Sequence, residues 1–474
     1  MNAARDPEPM GPLIPFVGRS PALAQLREGW LRALAGNVHL TLVTGETGAG
    51  KTWLIRSFLD AATSSRLITV LKGRCDEQTP LAAYQPFADV LRSALSAPER
   101  VPGEDGRRNL FTTCCRFLEG MCRREADEAC ANPLILFLDD LHLADRDSYE
   151  LLAFLVARLE GPIWILAACH DDGLERDHPL SQIFRRCERS GMATRLEVDR
   201  LDPADLEEIA GSLVGEAQAG ELAAFLEKQS GGLPLTAAEI VNVLWDRGLL
   251  VASGLGRWHL SRPLASLDLP VENVRDLIRL RLRRLPNSTR RLATLAAVMG
   301  QCFDVQVLQE AADEHVQVVE LGMEILQRRG LIRQLSQGFE FSHSEVRGAI
   351  HQEINPLRLQ AMHAQVAAAL ERLHGDRDCQ ALAFHFVAAG EWEKALPYLL
   401  QAVDRALAVC AEDTAQRYCE QTVEALSRLV ASARNAVQAE RWRGERCQFL
   451  ERMQELRQAG SGGLKGSVPR AVVP

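Results

Sequence analysis

Gly45-Glu46-Thr47-Gly48-Ala49-Gly50-Lys51-Thr52 has the residue types and spacing of a loop that cradles phosphates. Its glycines permit a tight turn in which successive backbone N–H groups point inward. A helical pattern from Trp53 to Ala61 follows, adding the positive end of its dipole. Lys51 is expected on a solvent-facing loop, reaching the β- and γ-phosphates of a nucleotide, with the Thr52 hydroxyl on Mg²⁺. The competing reading is a chance glycine-rich turn. A second constellation bears on that choice, because Leu134-Ile135-Leu136-Phe137-Leu138 runs directly into Asp139-Asp140. An apolar strand ending in carboxylates has the form of the second nucleotide motif (Walker B). Asp139 is expected to hold Mg²⁺, directly or through water, and Asp140 to orient or deprotonate the attacking water. Turn formation or helix capping is the alternative for the two aspartates. No Ser-His-Asp or Cys-His set competes as a nucleophilic site.

The elements that must place these groups are strands alternating with helices. Val38 to Thr44 is an apolar run ahead of the loop, and further strand candidates fall at 67–72, 134–139, 163–168 and 195–199. Leu134 to Leu138 and Ile163 to Ala168 are continuously apolar, the pattern of strands covered on both faces of a parallel sheet. The expected fold class is α/β, with a P-loop NTPase parallel-sheet core over residues 16–200 behind a flexible leader at 1–15. From Asp202 helices take over, with leucine and alanine at helical spacing in 203–213, 218–229 and 235–247, making a helical unit over 201–265. Residues 266–355 read as short helices and then two strand-like pieces, Leu331 to Gln334 and Phe339 to Phe341, around a Ser336-Gln337-Gly338 turn. That order predicts a winged-helix domain. Residues 356–455 are helical throughout. Phe384, Trp392, Ala395, Leu396, Tyr398, Leu399 and Ala402 recur at helical offsets, and Ala406, Ala415, Tyr418, Cys419 and Leu426 form a similar set. Small residues alternating with aromatics on paired helices predict all-α TPR-like repeats, with an ordinary helical bundle as the alternative. A flexible tail is expected at 456–474.

At 474 residues the chain has room for several domains. Its 47% hydrophobic and 25% charged content is ordinary for a globular protein. A net charge of −9 and a pI near 5.8 argue against direct DNA binding by the chain as a whole. A local basic face is left open around Arg275, Arg279, Arg281, Arg283 and Arg284. Met1 to Pro15 lacks the apolar core of a signal peptide, and no run is long and charge-free enough to cross a bilayer. A cytoplasmic protein with no membrane contact is expected. The 12 cysteines include Cys114, Cys115, Cys122 and Cys130 near one expected helix. Without a CxxC pair or a neighbouring histidine set they read as reduced structural thiols.

Phe16-Val17-Gly18-Arg19, the loop Gly45 to Thr52 and Leu138-Asp139-Asp140-Leu141-His142 together resemble signal-transduction ATPases with numerous domains (STAND). The likeness is to the AAA-type ATPase modules of large LuxR-type regulators and of some multidomain cyclases and kinases, and it spans roughly residues 14 to 430. Gly73-Arg74-Cys75 with Ala83 to Phe87 fits the stretch between the motifs, and Leu269-Pro270 with Arg279, Arg281 and Leu285-Pro286 fits the later region. Gly231-Gly232-Leu233-Pro234 resembles the family's lid motif, which implies that 201–265 is a helical lid and that Pro234 packs near adenine. The resemblance implies that Val17, Gly18 and Arg19, beside Phe16, lie near adenine and ribose, with Trp53 following the loop. Phe339 to Arg347 fits the winged-helix end, where His343 stands at the position that senses the ADP β-phosphate; a satisfied core histidine is the alternative. One departure stands out. Where the family commonly carries an arginine that reads the γ-phosphate, this chain has Cys169-His170-Asp171-Asp172. If His170 replaces that arginine, titration of its imidazole should shift ATP over ADP between about pH 8 and pH 6; otherwise it caps the strand end.

The implied function is an ATP-binding, slowly hydrolysing switch. ADP would hold lid and winged helix closed over the core, and ATP or an inducer would favour an open form that self-associates. Output would pass through a protein partner on the helical repeats or through control of transcription. The expected cofactors are ATP or ADP with Mg²⁺. Two alternatives remain: an origin-recognition-type DNA-binding AAA ATPase, and a TPR scaffold whose nucleotide site is structural.

Overall fold

The computed structural model describes residues 11–12, 14–63, 68–75, 83–88, 90–91, 104–122, 132–171, 177–253, 257–265, 267, 269, 273–335 and 338–459. Expectations for residues 1–10, Cys130, Asp172, Pro270, the Ser336-Gln337 turn and residues 460–474 lie outside these.

Five strands form one sheet: β1 His39–Thr44, β2 Thr69–Arg74, β3 Leu134–Asp139, β4 Ile163–Ala168 and β5 Ala193–Glu197. Their order is β2-β3-β4-β1-β5, and every neighbouring pair is parallel. Every residue of β1, β3 and β4 is buried, which is why their sequences are apolar runs instead of alternating ones. The helices Ser20–Leu34 and Lys51–Thr63 and the helices Glu104–Cys122 and Arg146–Arg158 cover the sheet. Parallel strands put all carboxyl ends on one edge, in step: Leu42 of β1 and Leu138 of β3 both pair with Ala167 of β4.

Three helices, Pro203–Val214, Glu216–Ser230 and Pro234–Asp246, pack a core of their own around Leu206, Leu222, Phe225 and Ile240. The sequence pattern predicts a wholly helical unit here, but the region also contains an antiparallel hairpin, β6 Leu250–Ala252 with β7 Trp258–Leu260. The leader also departs from expectation near its end, since Pro12 is buried and Ile14 packs on this same core.

The next part carries the helices Val274–Leu282, Asn287–Met299, Val305–Ala312, Val316–Arg328 and Ser344–Gln352 around β8 Cys302–Phe303, β9 Ile332–Gln334 and β10 Phe339–Phe341. The two expected strand pieces are joined by β8 in the order β8-β10-β9. Three of the five arginines of the basic face that the sequence left open are paired with acids here. Arg281 is buried between Glu239 at 2.7 Å and Asp246 at 3.2 Å, while Arg275 pairs with Glu345 and Arg279 with Asp276 and Glu353. A guanidinium leaves water only when its donors are met, so Arg281 is spent on internal ion pairs, while Arg283 and Arg284 stay exposed.

Five helices follow: Pro356–His374, Cys379–Ala388, Trp392–Ala408, Glu412–Ala431 and Ala436–Ala459. They do not stand apart. One apolar core runs from the sheet through Leu292 and Phe341 to Phe386, Tyr418 and Phe449. Every described cysteine is a free thiol. No described helix is long and apolar enough to cross a membrane.

Candidate nucleotide-binding site

The loop after β1 has a backbone that only glycine adopts easily. Gly45 has φ 149°, and a Cβ there would come within 2.6 Å of the Val198 carbonyl; Gly48 has φ 82°. Lys51 opens the helix behind the loop. It was expected to face solvent, but it is buried and its Nζ donates to the Gly45 and Glu46 carbonyls at 2.7 and 2.9 Å. The loop turns back over the helix start and offers those carbonyls to the ammonium. Burial lowers its pKa, against the pull of Asp140, Cys169, Asp171 and Asp139.

Thr52 donates to Asp139 Oδ1 at 3.0 Å, so the two expected Mg²⁺ ligands already touch. Both are hard oxygen donors, the kind Mg²⁺ takes, and the aspartate is deeply buried. Burial first, and then neighbouring Asp140, push the Asp139 pKa up to about 6, opposed by Arg74 and the Thr52 bond. Such a carboxylate lacks water, and a bound cation would replace it. The pair fits the ion.

Asp140 ends the strand in a left-handed conformation, φ 53°. That turn directs its carboxylate to Arg74 at 3.2 Å and toward His170 Nε2 at 3.6 Å. His170 Nδ1 shares a 2.8 Å hydrogen bond with the Thr47 hydroxyl of the loop. Its ring stacks on His142, the centroids 4.6 Å apart.

The remaining expected residues gather on the other side of the loop. Val17 is buried, and Gly18 has φ 68° with no room for a Cβ beside the Asp205 carboxylate. Arg19 donates to the Ala49 carbonyl at 3.0 Å, tying this segment to the loop. Glu46 pairs with Arg200 at 2.7 Å. Trp53 meets Phe16 edge-on at 5.2 Å. Pro234 starts its helix against the loop, and the Leu235 N–H donates to the Gly48 carbonyl at 3.2 Å. One cleft of about 310 Å³ has Thr47, Lys51, Asp139 and His170 on one wall, Ile14, Trp53 and Pro234 on another, and Ser342 to Glu345 on a third; Val17, Gly18 and Arg19 do not line it.

Residues 15–166 match the family of AAA ATPase domains. The chain carries an AAA ATPase domain. No curated protein matches the sequence. Among solved structures, the chain is similar to a STAND protein with a tetratricopeptide repeat sensor from Pyrococcus horikoshii, at 14% identity and TM-score 0.50, over 95% of this chain and 67% of that one. A Walker-type ATPase of Pyrococcus abyssi matches at 14% identity and TM-score 0.33, over 73% of this chain and 99% of that one. The Aeropyrum pernix Orc1 protein in complex with DNA matches at 16% identity and TM-score 0.34, over 72% and 94%. At these identities the first likeness is one of fold, a P-loop NTPase core followed by helices.

One expectation is corrected within the cleft of the AAA ATPase domain. His170 stands beside the loop as expected, but it does not titrate between pH 8 and pH 6. Burial, then Lys51 and His142, lower its pKa to about 3, so the imidazole is neutral across that range. His343 lines the cleft at the start of the helix Ser344–Gln352, where the residue is exposed.

Sequence reasoning missed three cleft arginines, Arg56, Arg74 and Arg333. Arg56 lies one helical turn after Thr52, a spacing that puts both on one face and could have found it. Arg333 has no such signal, since it reaches the AAA ATPase domain only through the fold. Glu340 binds both, at 3.5 Å to Arg56 and 3.2 Å to Arg333.

Proposed function

We propose that this chain is an ATP-operated regulatory switch. The observation that supports it is the cleft itself, walled by three successive parts of the chain: the AAA ATPase domain, the helices Pro203–Val214 and Pro234–Asp246, and the stretch from Arg333 to Glu345. A ligand filling that cleft touches all three, so its phosphate count can bias how they sit together.

In this reading the apolar wall of Ile14, Trp53 and Pro234 takes adenine and ribose, with the neighbouring segment Val17-Gly18-Arg19 held to the loop by Arg19. The backbone of Gly45 to Gly50 and the Lys51 ammonium take the phosphates. Thr52 and Asp139 hold Mg²⁺, which neutralises phosphate charge when bound. Asp140, fixed by Arg74, orients water, and His343 faces the phosphate end from the winged-helix side. His170 stands where an arginine would bear a fixed charge. As a neutral imidazole it offers a hydrogen bond without that charge, which supports slow turnover. The helical repeats carry the output, association with a protein partner or with further copies of the chain.

The test pairs titration calorimetry of ATP and ADP with light scattering in ADP and in a non-hydrolysable ATP analogue. Lys51→Ala should lose measurable nucleotide binding, and wild-type protein should change size or association state between the two nucleotides. Wild-type affinity in the mutant would remove the site. Identical scattering in both nucleotides would leave a structural nucleotide site and no switch.

A further inference from the structure

Beside the Thr52–Asp139 pair, at the same edge of the sheet, three more metal-ligating side chains meet. The ligand atoms of Asp140, His142 and His170 all lie within 4.8 Å of one another. Their placement follows from the backbone. The left-handed Asp140 leads into a 3-10 turn, Leu141–Leu143, that brings His142 back toward the end of β4, where His170 stands.

The geometry resembles a prepared site more than a polar cluster. The Thr47 hydroxyl occupies His170 Nδ1 and turns Nε2 toward Asp140 Oδ1, 3.6 Å away. That gap is too long for a good hydrogen bond. It is close to the span of two ligands each about 2.1 Å from one ion at a near-tetrahedral angle. Histidine ligands are usually oriented in this way, by a partner on the other ring nitrogen. Arg74 holds Asp140 Oδ2 at 3.2 Å, an outer contact that fixes the carboxylate and leaves Oδ1 directed at the histidine. His142 Nδ1 is buried and has no hydrogen-bond partner. Nothing polar but an ion or water can satisfy it there. The three side chains open onto a second cavity of about 310 Å³ whose far wall carries Glu345 and His351, which gives an ion room for water or further ligands.

We propose that Asp140, His142 and His170 bind a borderline divalent transition-metal ion, at a position separate from the Mg²⁺ pair. Two imidazoles and one carboxylate suit Zn²⁺ or Co²⁺, whereas Mg²⁺ takes oxygen and keeps its water. The site shares Asp140 and His170 with the nucleotide cleft, but it stands whether or not the chain is a switch. Its occupancy withdraws Asp140 Oδ1 and His170 Nε2 from the nucleotide cleft, so such an ion acts as a brake on turnover.

Co²⁺ is the probe, because its visible absorption reports nitrogen ligation and coordination number directly. The full chain without nucleotide should bind one Co²⁺ with intense visible bands, and Zn²⁺ should displace it. His142→Ala should weaken Co²⁺ by at least about tenfold. His142→Phe keeps the stack on His170 without the nitrogens and should do the same, with folding checked by circular dichroism. Thr52→Ala should retain the Co²⁺ spectrum. Unchanged affinity in both His142 variants, loss of the spectrum in Thr52→Ala, or no bound Co²⁺ in the wild type would each overturn the site.

Discussion

Burial and the adjacent Asp140 raise the Asp139 carboxyl to about pKa 6 in the folded chain, against roughly 3.9 in an unfolded one. Above about pH 6 it is charged in both states, and the fold bears the cost of a desolvated anion. As pH falls from about 6 to 4 the folded form takes up the proton first, so this group makes the protein more stable there. Its contribution to stability is therefore unfavourable at neutral pH, which fits a residue kept for a cation. Asp139→Asn should raise the melting temperature of the nucleotide-free protein at pH 8. The same change should weaken Mg²⁺-dependent nucleotide binding by about tenfold or more, because a hard anionic oxygen is lost. Calorimetry with and without Mg²⁺ reads both effects, and a lower melting temperature without nucleotide would show that the Thr52 and Arg74 contacts outweigh the burial. Asp140, which is paired with Arg74 and partly exposed, should show no such gain on Asp140→Asn and should mainly lose turnover.

Among the elements, the helices Pro356–His374 and Cys379–Ala388 are joined by a buried histidine pair, His363 Nδ1 to His385 Nδ1 at 2.9 Å. Burial lowers the two to about pKa 4 and 3. Both are neutral when folded, whereas unfolded histidine takes up a proton near pH 6.5. Stability is therefore fully present above about pH 6.5 and is lost as pH falls toward 4, by on the order of 5 kcal/mol for the two histidines together between pH 7 and 4.5. His385→Gln should flatten that slope in denaturant titrations at several pH values; an unchanged slope would place the acid sensitivity elsewhere. This pair also shows which elements a sequence discloses. The three fully buried strands β1, β3 and β4 were legible, because two-sided burial demands unbroken apolar runs, and so was the loop, because its glycines and Lys51 serve local geometry. The strand β8 was not, since Cys302–Phe303 is too short to show a period. The basic stretch near Arg281 misled, because Glu239 and Asp246, which neutralise it, come from a different helix. His142 and His170 stack across a separation that no spacing rule spans.

For the whole molecule, the decisive contact is between the AAA ATPase domain and the helices that follow Pro356. Asp147, at the start of the helix Arg146–Arg158, accepts the Thr414 N–H and hydroxyl, each at 3.1 Å, and the Asp413 N–H at 3.4 Å. A carboxylate thus caps the first turn of the helix Glu412–Ala431 from another part of the chain, where the helix dipole favours negative charge. Arg107 strengthens the joint by pairing with Glu150 and, at 3.2 Å, Glu412, and the Tyr84 hydroxyl donates to the Cys410 carbonyl. The contact ties the domain to these helices. Asp147→Ala leaves buried N–H donors without an acceptor, a cost of about 1–3 kcal/mol concentrated at this joint. The mutant should show faster hydrogen exchange in the first turn of Glu412–Ala431 and a larger radius of gyration by small-angle scattering. Exchange in the phosphate loop should be unchanged, because Lys51 and Arg19 hold that loop from within the domain. If the radius and the exchange of that helix both stay at wild-type values, the continuous apolar core alone holds the C-terminal helices in place, and the polar joint only sets their register.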